Sequence, residues 1–251
     1  MKTAIAIVTH KEYIFPNDEG YKPIVVGGGY REHGFSVDSV GDNISHLNQS
    51  FCELTALYWL WKNDDSSIIG LSHYRRYFTD KENFLLLNGR KVSTSESLVT
   101  KLKEYDLIVA SPRDYHITNI KNHYIKAHSI TDFNLLRSEV QQQYPEYIPA
   151  FDSVMSKRKL SLYNMFIGHR AIVTEYLSWM FSILFELEKK IPYQSYDAYQ
   201  KRVFGFMSER LFNVWLEHHK DKLKISYCNV VNIEGENLFK KAYGLIKRHY
   251  F

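Results

Sequence analysis

Two short, continuously apolar runs constrain this chain most: Thr3 to Val8, which ends in Thr9 and His10, and Ser67 to Ser72, which ends in His73. A strand-length run without polar alternation must be covered on both faces. That is the mark of a strand inside a parallel sheet with helices on either side. Further strands are expected at Asp106 to Ala110, Leu162 to Ile167 and Lys224 to Val231. Between them the apolar spacing turns helical. Leu54, Leu57, Tyr58 and Trp61 share one face, and Ser50 and Glu53 have the S-x-x-E spacing of a capping box before it. More helices are expected near Ser95 to Glu104, across 118–157 with interruptions at Pro145 and Pro149, from Arg170 to Lys190, from Tyr199 to His218 and from Glu236 to Tyr250. The alternation implies an α/β fold: a mainly parallel central sheet flanked by helices, with a helical C-terminal half. No repeat or linker divides the 251 residues, so they read as a single domain, 1–251.

In such sheets ligands bind beyond the carboxyl ends of the strands. This rule directs attention to Thr9 and His10, His73 to Arg76, Ser111 to Arg113, and the residues after Asn164. The segment His73, Tyr74, Arg75, Arg76, Tyr77, Phe78 is the sharpest feature, because two guanidinium groups emerge at a strand end. Arginine presents a planar fork of donors suited to phosphate oxygens, and fixed positive charge stabilises a departing diphosphate. The competing reading of Arg75 and Arg76 is a surface ion-pair cluster.

A sugar transferase that inverts an anomeric centre also needs a carboxylate to take the proton of the attacking hydroxyl. Asp197 and Glu209 are the candidates. Asp197 stands at a helix start, where capping is the alternative, and Glu209 precedes Arg210, where an ion pair is the alternative. Glu53 reads first as a capping residue, and as part of a capped helix at the sheet's edge it could also touch the nucleotide. Many such enzymes hold a divalent cation with an Asp-x-Asp triplet, and the sequence contains none; Asp64 and Asp65 read as the polar turn that ends a helix. The histidines show no zinc-type spacing, and the glycines at 27 to 29 do not join a strand directly to a helix, so they read as a loop. The missing triplet favours metal-independent chemistry.

Composition removes other classes. The net charge of +4 is mild, and only the last fifteen residues concentrate basic side chains, so a nucleic-acid partner is not expected. Cys52, on an apolar helix face, and Cys228, on a strand, lack metal spacing and read as buried thiols of a reducing compartment. No run reaches the roughly 20 apolar residues of a membrane span, and the first run lacks the pattern of a secretory signal. A cytoplasmic protein is expected. In the C-terminal segment Leu238, Phe239, Ala242, Leu245, Ile246 and Tyr250 share a face bordered by Lys240, Lys241, Lys247 and Arg248. Such a helix either docks on the domain or rests on anionic lipid, which would allow a peripheral membrane contact through 236–250.

Taken together, Asp42 to Ser45, Phe51 to Asn63 and Ile69 to Phe78 resemble a bacterial glycosyltransferase family found in capsule, exopolysaccharide and O-antigen gene clusters, long labelled a domain of unknown function. Tyr144 to Phe151, Tyr163 to Ile167 and Tyr199 to Leu211 continue the likeness, which spans essentially the whole chain; the run Cys52 to Phe78 is its most specific part. The resemblance implies a GT-A-like (Rossmann-like) fold. It also implies an inverting, metal-independent transfer of galactofuranose or another hexose from a UDP-sugar to an oligosaccharide or polyprenyl-linked acceptor. By the same similarity His73, Tyr74 and Arg75 take the place of metal-binding acids, Thr9, His10, Asp42 and Asn43 lie near the nucleotide, and Asn164 lies near the donor sugar or acceptor, with Arg202 also assigned to the acceptor side. Relatives carry a histidine-containing segment where this chain has Lys159 to Leu162, a departure that bears on the acceptor. A catalytically inactive module that binds nucleotide sugar or polysaccharide is the alternative, since it fits the missing Asp-x-Asp equally well.

Overall fold

The structure, a computed structural model, describes residues 1–28 and 35–235. The first strands and helices are β1 (Thr3–Thr9), β2 (Tyr21–Val25), β3 (Ser36–Val37), α1 (Asn48–Phe51), α2 (Leu54–Asn63), β4 (Ile68–His73) and β5 (Arg76–Phe78). Next come β6 (Phe84–Leu87), β7 (Arg90–Ser93), α3 (Ser95–Lys101), β8 (Leu107–Ala110), β9 (Arg113–Asp114), α4 (Ile120–Ala127), α5 (Ile130–Gln143) and α6 (Ile148–Ser156). The chain continues with β10 (Lys159–Leu160), β11 (Phe166–His169), α7 (Arg170–Lys190), α8 (Val203–His218), β12 (Ile225–Cys228) and β13 (Val230–Asn232).

The central sheet runs β12-β8-β11-β4-β1-β2-β3, with β5 and β13 appended at the end of β4. The pairs β1–β4, β1–β2, β2–β3 and β8–β12 are parallel, so the sheet is mainly parallel, as the sequence pattern implied. Along β1 the side chains alternate between two cores. Ala4, Ala6 and Val8 face the core built by the long helices, while Ile5 and Ile7 face the one beneath α3 and the β6–β7 hairpin. Coverage on both sides explains why the run is apolar throughout.

β11 runs antiparallel to both β4 and β8. It therefore enters the sheet from the end at which its neighbours finish, and the turn before it is delivered to the ligand side. Its approach to β4 is close: a Cβ at Gly70 would lie 2.7 Å from the Phe166 carbonyl oxygen, so only glycine fits there. The strand expected at Leu162 to Ile167 thus begins later, at Phe166, because Tyr163 (φ 73°) and Asn164 (φ 52°) turn through the left-handed region first.

The capping box at Ser50 and Glu53 does not form. Ser50 lies inside α1 with its hydroxyl donating to the Leu47 carbonyl at 3.0 Å, and Glu53 makes no side-chain cap. Cys52 interrupts the helix at φ 53°, rather than riding on a helix face, and Asn48 Nδ2 braces the break by donating to the Cys52 carbonyl at 3.0 Å. Gly205 makes room for this kink, since a Cβ there would sit 3.3 Å from Cys52 Sγ. Asp64 closes α2 as expected, its backbone N–H donating to Leu60 and its carboxylate pairing with Lys22 at 2.8 Å. Pro145 breaks the helical stretch, whereas Pro149 sits in the first turn of α6, where its missing N–H costs nothing. The helix expected from Tyr199 begins at Val203, behind a short 3₁₀ turn, and the strand from Lys224 splits into β12 and β13. The C-terminal helix expected at 236–250 lies outside the described residues. Among those described, no helix is long and apolar enough to cross a membrane.

Candidate active site

β1 and β4 are adjacent and parallel, with Val8 in register with His73, so their carboxyl ends open side by side. A cleft of about 1040 Å³ begins there and extends to α1, α4 and α8. Its first wall is the tight hairpin between β4 and β5, in which His73 pairs with Arg76 and Tyr74 and Arg75 form the tip. Arg75 and Arg76 both line the cleft. Arg76 lies over the Tyr163 ring at 4.5 Å, and among the described residues no carboxylate comes within ion-pair distance of it. Arg75 Nη1 donates to Glu234 at 3.2 Å, while its Nε is buried without a partner among the described residues. A buried guanidinium donor left unpaired costs on the order of 1–3 kcal/mol, and an anion would relieve that cost.

The second wall comes from α8. Phe204, Leu211, Phe212 and Trp215 are buried on its inner side, each contributing roughly 1.5–3 kcal/mol of apolar burial. This packing fixes the roll of the helix, and residues three and four apart, Arg202, Phe206, Glu209 and Arg210, are turned to the cleft. Glu209 Oε1 accepts from the Tyr163 backbone N–H at 2.8 Å, and Oε2 from Arg210 Nη1 at 3.0 Å. Burial pushes its carboxyl above the ordinary glutamate range, with the Arg210 charge and the Tyr163 N–H pulling the other way.

Glu53, freed from capping by the Cys52 kink, faces the same space as Glu209. Burial raises its carboxyl too, while the bond from Asn164 Nδ2 to its Oε1 at 2.8 Å partly offsets this. The positive-φ turn at Tyr163 and Asn164 organises the whole wall. It supplies the N–H to Glu209, the amide to Glu53, the ring under Arg76, and the Tyr163 carbonyl that accepts from His73 Nε2 at 2.8 Å. Burial holds the His73 imidazole down at about 4, so near neutral pH it is an uncharged donor.

The outer wall is aromatic. The His128 ring stacks on Phe206 at 4.2 Å and beside Tyr199 at 5.8 Å, and Tyr115 stacks on His123 at 4.1 Å. Burial also holds His128 down at about 4. Arg202 reaches inward, its Nε donating to Cys52 Sγ at 3.3 Å, and burial pushes that thiol up to about 11. Cys228 is buried at the end of β12, and both cysteines are free thiols.

Of the residues singled out from the sequence, His10, His73, Tyr74, Arg75, Arg76, Arg202 and Glu209 line the cleft together. The others lie elsewhere. Thr9 is fully buried, with its hydroxyl donating to the Lys11 carbonyl. Asp42 accepts from Tyr58, and Asn43 accepts from Ser45 within its own turn; neither lines the cleft. Asn164 is buried one layer beneath it, against Glu53 and Ser208. Asp197 is exposed outside the cleft, and its Oδ1 accepts from the N–H groups of Tyr199 and Gln200, so capping is the role its geometry serves. Tyr163 and Arg210 line the cleft without being expected there, and Glu53, read first as a cap, lines it too.

Among the described residues, no three His, Cys, Asp or Glu side chains converge as metal ligands. Residues 4–220 match the family described as a domain of unknown function, DUF4422. The chain belongs to that family. This DUF4422 chain is also similar to the apo structure of WbbM, a bifunctional glycosyltransferase, with a TM-score of 0.83 and 28% identity. The likeness covers 94% of this chain and 46% of that one, so the chain spans less than half of WbbM. No curated protein matches it. The mainly parallel sheet, its helical flanks and this likeness make the fold of the DUF4422 chain GT-A-like.

Proposed function

We propose that this chain is a glycosyltransferase that moves a hexose, galactofuranose among the candidates, from a UDP-sugar to a saccharide acceptor in bacterial surface polysaccharide synthesis, with inversion and without a metal ion. The observation that carries the reading is the placement of two cationic side chains and a half-buried carboxylate on walls of one cleft. The donor diphosphate rests against Arg75 and Arg76, and the acceptor sugar lies against the aromatic wall of His128, Tyr199 and Phe206. Arg202 is assigned to the acceptor side and His10 to the nucleotide side.

In the reaction the acceptor hydroxyl attacks the anomeric carbon from the face opposite the diphosphate. Its proton passes to Glu209, whose raised affinity for protons suits a general base. The bond between the anomeric carbon and the diphosphate oxygen breaks with its electron pair leaving on that oxygen, where fixed guanidinium charge stabilises it. Glu53 shares the site with Glu209, and its charge makes Glu209 harder to ionise.

The test is incubation with a panel of nucleotide sugars and saccharide acceptors, scored by nucleotide release with and without EDTA. Acceptor-dependent UDP release that chelation leaves unchanged is expected. Restoration of a chelated reaction by manganese would contradict metal independence. Donor binding with no release across suitable acceptors would mark a binding module instead.

A further inference from the structure

The acidic residue that pairs with Arg75 comes from far along the chain. Glu234 follows β13, which pairs antiparallel with β5 and so lies along the hairpin. Three donors converge on its carboxylate from two other segments. Oε1 accepts from the Tyr13 hydroxyl at 3.1 Å and lies 3.8 Å from Lys11 Nζ, and Oε2 accepts from Arg75 Nη1 at 3.2 Å. The Tyr74 ring backs the group, with Lys11 Nζ 4.8 Å from its centre and the Arg75 guanidinium 5.5 Å from it. Arg75 Nε remains buried and unpartnered among the described residues.

These distances are longer than the roughly 2.7–2.9 Å of well-formed charge-assisted bonds. The carboxylate is thus loosely held, and the Nε of Arg75 is left over as a donor. Glu234 and Arg75 are also each about a third exposed, 33% and 37%, so their pairing is weak and exchangeable. The backbone does not have to move for the carboxylate to leave. The Ile233 N–H stays bonded to the Arg75 carbonyl at 3.0 Å, and only the Glu234 side chain swings away.

We propose that Arg75, which lines the cleft, forms a phosphate subsite with Lys11 and Tyr13, which lie beside it outside the cleft lining, and that Glu234 is its built-in occupant, displaced when the donor diphosphate binds. The inference rests on the transferase reading and deepens it, because it names a competitor that sets donor affinity. Return of the carboxylate keeps Arg75 paired between turnovers and makes donor binding weaker than a bare Arg75 would give.

Calorimetric titration of UDP into the full chain tests this with Glu234→Gln, Arg75→Ala and the double variant. Gln preserves size and hydrogen bonding, and thermal melting verifies that each variant is folded. Removing an exposed pair of this kind should tighten UDP binding roughly two- to fivefold. The gain should vanish in the Arg75→Ala background, because the two residues act on one site. Equal affinity of wild type and Glu234→Gln overturns the inference and leaves the transferase reading standing. So does a gain that survives without Arg75, which is a general charge effect. If neither protein binds UDP, the uridine diphosphate donor falls and the stand-in falls with it, a result distinct from equal binding by both.

Discussion

The two facing walls of the cleft are built to different standards. The hairpin lip is half-exposed: Arg75 is shared loosely with Glu234, and Arg76 leans on a tyrosine ring. The wall opposite is buried, and its groups are tied several times over. Glu209 is fixed by the Tyr163 N–H and Arg210, Glu53 by Asn164, and Asn213 Nδ2 and Oδ1 hold Ser161 just before the turn. A group that must bind and release an anion each cycle is served by exchangeable contacts. A group that must meet one proton in one geometry is served by rigid ones. In the reaction proposed above, the contrast fits binding at the lip and proton transfer at the wall.

The largest expected effect breaks the wall without touching the lip. Glu209→Gln should lower kcat by about 10²- to 10⁴-fold with UDP affinity nearly unchanged, measured by steady-state UDP release alongside binding. In the wild type, the acid limb of kcat should fall at a pH above the ordinary glutamate value, because burial raises this carboxyl. Arg76→Ala should cost about 10²- to 10³-fold in kcat/KM and weaken UDP binding as well, since the charge it supplies acts on both the bound and the departing diphosphate. Comparable loss of UDP affinity in both variants would erase the division between the walls.

Stability sharpens the comparison next. His73, at about 4, lies below its unfolded value of 6.5, so its neutral form contributes fully above pH 6.5. That contribution is lost as the pH falls through 4, by roughly 3 kcal/mol. Urea unfolding of wild type should therefore steepen across that interval, and His73→Asn should flatten the slope. The smallest effect belongs outside both walls. Asp197→Ala should cost about 1 kcal/mol of stability through the lost cap and leave kcat within about twofold. A large loss of turnover there would return Asp197 to the chemistry.

The lip was legible in the sequence because a hairpin directly follows an apolar strand, and neighbours in the chain remain neighbours in space. The same holds for α7, whose bounds of Arg170 and Lys190 follow from its periodicity and the proline behind it. The wall was only half legible. Glu209 could be placed on a helix, but its companion Glu53 read as a cap. The spacing Ser50 to Glu53 does not reveal that Cys52 turns through positive φ and swings the carboxylate inward. Asn164 was expected to meet a sugar and instead braces Glu53, because two consecutive left-handed residues precede β11. Such turns depend on what Gly205, Ser208 and Asn213 offer from a helix some forty residues later, a dependence that local pattern does not carry. Asp42 and Asn43 were placed near the nucleotide by resemblance, yet they sit in their own turn outside the cleft lining.

A structure of the chain with UDP bound tests the central claim most directly. The account predicts phosphate oxygens within hydrogen-bonding distance of the Arg75 and Arg76 guanidinium groups, at the carboxyl ends of β1 and β4. A diphosphate seated elsewhere, with both guanidinium groups turned to solvent, would contradict it.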